Sequence, residues 1–187
     1  MDAAKFFETI RQTLLHGSLA EAQVAGCTAI LDAWTNHAPA SDPRFVAYSL
    51  ATAYWETAYK MQPVEEIGHG DGRPYGKPAG PYGLTYFGRG LVQLTWFQVY
   101  QHAETRLRLH GINVDLVRSP DLALRPDTSA AILVFGMTEG WFTGRKLADF
   151  FAGTRSDWVD ARTIINGHDR AALIAGFALH FYAGLTE

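Results

Sequence analysis

Eight of the chain's 18 glycines and four of its eight prolines fall between Pro63 and Gly90. No continuous helix can run through such a stretch. Glycine in a helix interior gives up backbone entropy, and proline lacks the N–H and clashes with the preceding turn. On either side of it, apolar residues recur at spacings of three and four, the period of helices with one buried face. The chain is therefore expected to fold as a helical body carrying one long irregular excursion. Excursions of this length inside a compact domain are usually functional. The 187 residues are 48% hydrophobic and carry a formal net charge of −3. That suffices for one domain with a sizeable core and excludes a disordered chain. The reading is a single, mainly α domain over 1–187, two-lobed, with a small irregular β or loop lobe at about 61–94 inserted between helices.

The periodicity predicts a first helix over 2–15, with Phe6, Ile10 and Leu14 at spacings of four. Ser18 can cap a second reaching about Asn36, with Val24, Cys27, Leu31 and Trp34 on one face. A third runs from about Arg44 to Tyr59, burying Val46, Leu50, Ala53 and Thr57. Beyond the lobe, a fourth is predicted from Thr95 to about His110, and Asp127 can cap a fifth running to about Phe142. Short helices are expected at 145–152 and 156–165, and Asp169 can cap a last one that buries Leu173, Phe177 and Phe181.

Several function classes drop out. Basic and acidic residues are balanced along the chain, so nothing marks nucleic acid as a partner. One cysteine supports neither an internal disulfide framework nor a multi-cysteine zinc site, and Cys27, on its helix stripe, reads as a core residue. Apolar runs such as Ala130–Met137 are far short of the roughly 20 residues that span a bilayer. The N-terminus shows no basic region followed by a long apolar stretch, so no signal peptide is visible. The seven histidines form no ligand pattern; His69 and Asp71 share the lobe, but two candidate ligands do not make a metal site. There is no Gly-x-Ser-x-Gly elbow and no phosphate loop, and Gly88-Arg89-Gly90 lacks the third glycine of a dinucleotide fingerprint. No cofactor is implied.

Three groups remain that can do chemistry. Glu56 lies three residues after Ala53, at the margin of the third helix's apolar stripe. A carboxyl sunk into an apolar margin loses hydration, which favours the protonated form a general acid needs. The other reading is a half-buried glutamate paired with an arginine. Glu65 and Glu66 open the glycine-rich lobe just after Pro63. Glycosidic cleavage uses two carboxyls, one to protonate the leaving oxygen and one to activate water or attack; two solvated loop acids are the alternative. Finally, in Val92-Gln93-Leu94-Thr95-Trp96 the polar residues alternate with apolar ones. If the segment is extended, Gln93 and Thr95 share a face suited to hydrogen-bonding sugar hydroxyls or a water; a half-buried strand fits equally. Tyr75, Tyr82, Tyr86, Phe87, Trp96 and Phe97 crowd the same region. Aromatic faces can stack on sugar rings, and they can equally fill a core.

Taken together, three stretches resemble glycoside hydrolase family 19, the chitinases and the endolysins related to them. They are Ala53-Tyr54-Trp55-Glu56-Thr57, Met61-Gln62-Pro63-Val64-Glu65-Glu66, and Tyr86-Phe87-Gly88-Arg89-Gly90-Leu91-Val92-Gln93-Leu94-Thr95-Trp96; a weaker fourth is Ile164-Ile165-Asn166-Gly167. They occur in family order and span about 44 to 182. The second is of the endolysin-like branch. The resemblance implies a lysozyme-like fold and an inverting mechanism. By position it makes Glu56 the general acid, Glu66 the general base with Glu65 as fallback, and Thr95 a holder of the nucleophilic water. It places Glu65, Tyr86, Gln93, Trp96, Tyr100 and Asn166 at the substrate. The chain departs from the pattern at Trp55, where the family has His, at Val99, where Asn is common, and at His168 in place of a second glycine. The function implied is cleavage of the β-1,4 N-acetylhexosamine backbone of peptidoglycan, with chitin as the alternative and a catalytically inactive wall-binding module as the rival of another class. The implied protein is a monomer made in the cytoplasm that reaches the cell wall by release or export.

Overall fold

The computed structural model describes residues 2–187. Six helices form the body: α1 (Ala3–Thr13), α2 (Glu21–His37), α3 (Pro43–Glu56), α4 (Phe97–Leu109), α5 (Pro126–Glu139) and α6 (Ala171–Thr186). Local chemistry sets their ends. Asp2 caps α1 by accepting from the Ala4 and Lys5 amides at 3.0 and 3.2 Å. Asp42 caps α3 ahead of Pro43, whose missing N–H is no loss in a first turn. Among the described residues no helix is long and apolar enough to cross a membrane.

Helix α5 organises the body. Every residue from Thr128 to Met137 is buried, so its apolar run faces neighbours on all sides and not along one stripe. Helix α2 packs against it, α3 lies along α6, and α1 closes the other side of α6. Phe6, Ile10 and Leu14 are buried as the spacing predicts. So is Cys27, whose thiol burial pushes up to about 12, which leaves it inert. Val24 and Leu31 are only half-buried, because the α2 interface runs through Gly26, Cys27, Ile30, Ala33 and Trp34. Gly26 is required there: a Cβ would sit 1.6 Å from the Met61 carbonyl oxygen. Its bareness lets the start of the lobe lie directly on α2.

Several expected boundaries shift, among them the cap of α2, which is Ala20 and not Ser18. Helix α3 ends at Glu56 and not near Tyr59, because Ala58 and Tyr59 take left-handed φ values of 48° and 70°. Thr57 fastens this end, donating to the Ala53 carbonyl at 2.7 Å and accepting from the Met61 amide at 2.9 Å. Helix α5 begins at Pro126, with Arg125 and not Asp127 at the cap position, and stops at Gly140 in the left-handed conformation. Residues 145–152 hold only a 3-10 turn, Leu147–Asp149, and 156–165 another, Asp160–Ile164; between them β3 (Phe151–Ala152) pairs antiparallel with β4 (Arg155–Ser156). Asp169 does not cap α6; Arg170, at φ 57°, precedes it, and Leu173 on the outer face is 40% exposed.

The lobe is the irregular excursion the glycines and prolines demand. Its frame is β1 (Val64–Glu65) paired antiparallel with β2 (Arg89–Gly90), Val64 opposite Gly90 and Glu65 opposite Arg89. The remainder is turns, including a 3-10 turn at Pro74–Gly76.

One ion cluster fastens α4 to the end of α5. Glu139 accepts from Arg106 Nε and Trp141 Nε1, both at 2.8 Å, and His110 Nε2 lies 2.6 Å from its other oxygen. Burial alone would push this carboxyl up. The hydrogen bonds from Arg106, Trp141 and His110 outweigh it and bring the pKa from 4.5 down to about 2. A pKa depressed by folding adds stability that is present above 4.5 and lost as pH falls towards 2. Glu139→Gln is therefore expected to lower Tm at pH 7 by several degrees, a loss of about 2 kcal/mol in a chain of this length. The gap from the wild type should close on acidification through that window. Thermal unfolding across pH reads this directly, and a gap independent of pH would show that charge plays no part.

Candidate active site

A cleft of about 580 Å³ opens where the body meets the lobe, lined by Glu56, Glu66, Gln93, Thr95, Trp96 and Asn166 among others. Glu56, the last residue of α3, comes from the body. Its side chain is 16% exposed, and Oε1 accepts from Arg162 Nη1 at 2.6 Å. Arg162 belongs to the 3-10 turn Asp160–Ile164 and is itself buried; its Nε donates to the Asp169 carbonyl at 3.2 Å. Glu56 is thus paired with an arginine, the second of the two readings its sequence position leaves open, and it also lines the cleft.

Glu66 comes from the lobe. Its amide donates to the Gly88 carbonyl at 2.7 Å, extending the ladder by one residue beyond β1. Oε1 accepts from the Tyr75 hydroxyl at 2.7 Å and Oε2 from the Gly88 amide at 3.1 Å. The carboxyl is thus held purely as an acceptor, as a general base must be. The same bond, helped by burial, raises the Tyr75 hydroxyl above its ordinary range. Gly88 must be bare for this: a Cβ would meet Gln93 Oε1 at 2.7 Å and Glu66 Cβ at 3.3 Å.

Gln93 and Thr95 share the cleft wall, but not by strand alternation. Gln93 at φ 53° and Trp96 at φ 75° are left-handed, so the segment is a strained turn. A bulky residue at positive φ is a rare conformation that persists where surrounding structure enforces it, commonly at functional sites. Thr95 Oγ1 donates to the Gln93 carbonyl at 2.6 Å, which leaves its lone pairs for a water. The Gln93 amide nitrogen is spent on the Val64 and Gly90 carbonyls at 3.1 and 3.3 Å, leaving the carbonyl end. Trp96 is 46% exposed, with the Tyr75 ring edge-on at 5.3 Å, and presents an ordered aromatic surface. Asn166 accepts from the Gly167 amide at 2.8 Å and keeps its NH2 free among the described residues.

Three sequence expectations are corrected. Tyr86 and Tyr100 do not reach the cleft. They are 1% and 0% exposed, pack edge-on against each other at 5.3 Å, and donate to the Val117 and Phe87 carbonyls. Burial raises both hydroxyls, and no surface is left to touch a sugar. Glu65 does not line the cleft either. Neighbours on a strand face opposite ways, and Glu65 points outward to His69 Nε2 at 3.2 Å and Arg89 Nε at 4.0 Å. Sequence reasoning missed Arg162, which lies 106 residues from its partner; its one signal was a charged residue between Ala161 and Ile164, two positions before the Ile-Ile-Asn-Gly stretch.

No protein-family model matches the chain, and no curated protein sequence does. Solved structures do. A glutamate-to-glutamine mutant of chitinase C is 20% identical, with 99% of this chain and 92% of that one covered and a TM-score of 0.57. Chitinase C from Streptomyces griseus HUT6037 is 21% identical, with 98% of this chain and 76% of that one covered and the same TM-score. The chain therefore has a mainly helical, lysozyme-like and chitinase-like fold, the one that the glycoside hydrolase family 19 resemblance implied.

Proposed function

We propose that the protein is a glycosidase that hydrolyses the β-1,4 N-acetylhexosamine backbone of peptidoglycan with inversion. The observation that carries this is the presence of two carboxyls in one cleft, Glu56 from the body and Glu66 from the lobe. Glu56 protonates the glycosidic oxygen as positive charge grows at the anomeric carbon. Arg162 holds it in place. Glu66 takes a proton from a water on the opposite face of the sugar, and Thr95 holds that water. An inverting pair stands roughly 6.5–9.5 Å apart to admit the water. Trp96 and Asn166 supply a stacking face and an amide donor for the sugars. Peptidoglycan is preferred because the Met-Gln-Pro-Val-Glu-Glu stretch is of the endolysin-like kind and a single cysteine leaves no disulfide set. The second reading, chitin, is favoured by the structural neighbours, which are chitinases.

Mass and anomer analysis of products from purified peptidoglycan and from chitin oligomers, run in parallel, decides between these. The expected products are hydrated reducing ends released from peptidoglycan, first as the inverted anomer. Reducing ends from chitin alone would make it a chitinase. Anhydro ends would make it a lytic transglycosylase, and no product from either would leave a binding module.

A further inference from the structure

A second groove, of about 690 Å³, shares no lining residue with the cleft. It lies at the far end of α3: Pro43 and Arg44 open that helix and line the groove, whereas Glu56 closes it. At 1.5 Å per residue the two ends stand about 20 Å apart. The charged side chains lining the groove, Asp42 and Arg44, neutralise each other. The Arg44 guanidinium is occupied on every side, donating also to the Arg155 carbonyl at 2.8 Å, Ser156 Oγ at 2.7 Å and the Gly153 carbonyl at 3.1 Å. The groove therefore offers no uncompensated charge and suits a neutral ligand.

What it does offer is two aromatic rings in fixed orientation. Trp158 and Tyr182 are half-buried and stand 5.5 Å apart at 57°; Trp158 is wedged onto the buried Phe151 at 4.8 Å. The indole N–H, the Tyr182 hydroxyl and the Ser41 hydroxyl make no hydrogen bond among the described residues. Leu179 forms an exposed apolar rim at 49% exposure. Held aromatic faces with unspent neutral donors beside them match a pyranose, which has a C–H face for the ring and hydroxyl and acetamido oxygens for the donors.

We infer that this groove binds a stretch of N-acetylhexosamine polymer away from the scissile bond and anchors the protein on its substrate. The inference rests on the glycosidase reading for the identity of the polymer. An anchor has a physical use here. A net charge of −3 gives no long-range attraction to an anionic wall. A second contact on the same polymer raises occupancy of the cleft through effective concentration, without any new contact at the reacting bond.

The test uses the full chain. Adsorption to insoluble peptidoglycan is measured in the Glu56→Gln background, so that turnover cannot release the protein. Hydrolysis is measured in the wild-type background on the insoluble wall and on short soluble fragments. Trp158→Ala and Leu179→Glu are each expected to reduce adsorption and insoluble-wall hydrolysis by about tenfold. Soluble-fragment hydrolysis should stay within about twofold, because the cleft is untouched. Trp158 also packs on the core. If its variant does not fold, Leu179→Glu, on the exposed rim, carries the test alone. Adsorption of Leu179→Glu equal to that of its parent would overturn the groove assignment even in an active enzyme. A wild type that cleaves neither wall nor chitin would overturn the glycosidase reading, and adsorption would still decide the groove.

Discussion

Glu56→Gln is expected to lower turnover by at least about 100-fold, the loss typical of removing general acid catalysis. The substitution is nearly isosteric. An amide oxygen can still accept from Arg162 at the 2.6 Å position, so the cleft wall keeps its shape while the transferable proton is gone. The structure gives Glu56 a role as partner of Arg162, from which the proposed catalytic role must be separated. Arg162 is 4% exposed at the side chain, and a buried cation stripped of its counter-charge costs about 3–5 kcal/mol in a fully buried pair. Glu56 keeps some water contact, so the loss here should be smaller. A purely structural Glu56 would therefore lower Tm and leave kcat alone once the protein is folded. A general acid lowers kcat at temperatures where the variant is fully folded. Reducing-end release at saturating substrate, with unfolding followed on the same samples, distinguishes these. Unchanged kcat would reduce Glu56 to a partner for Arg162 and leave the non-catalytic reading standing.

The Arg162 pair of Glu56 marks one place where sequence reasoning stopped. The helices were legible because their information is local: Phe6, Ile10 and Leu14 repeat every four residues, and all three are buried. The lobe was legible because glycine and proline forbid the alternative over 63–90. The end of α3 was not, because Ala58 and Tyr59 carry no preference for left-handed φ. Contacts from Thr57 to Met61, and from Gln23 of α2 to the Tyr59 carbonyl at 2.9 Å, impose it. Gln93 and Thr95 do face the cleft, but for a different reason from strand alternation: a left-handed Gln93 turns the chain. Tyr86 and Tyr100 failed as substrate residues because a motif gives position along the chain and not burial. Aromatics beside a cleft are as readily core, and these two are buried core residues. The Arg162 contact joins segments 106 residues apart, which no window of sequence can show.

The choice between Glu65 and Glu66 is where one residue of register matters most. Antiparallel pairing sets Glu65 opposite Arg89 and Val64 opposite Gly90, and the next residue, Glu66, continues the alternation onto the cleft side. There Glu66 accepts from Tyr75 and from the Gly88 amide, while Glu65 turns away from the cleft, beside the exposed His69 and the buried Arg89. Glu66→Gln is accordingly expected to lower kcat by about 100-fold or more, as a lost general base should. Glu65→Gln should change kcat by less than about threefold, since Glu65 does not line the cleft. The amide in Glu66→Gln must turn one N–H towards a donor, either Tyr75 or Gly88, and so distort the wall that holds the water. Azide rescue separates that distortion from the loss of the base itself. A small anion can attack in place of activated water, so an inverting enzyme lacking only its base should regain turnover with azide and release a glycosyl azide. Equal losses at the two positions, or a larger one at Glu65, would put the water on the wrong side of β1 and move the base with it.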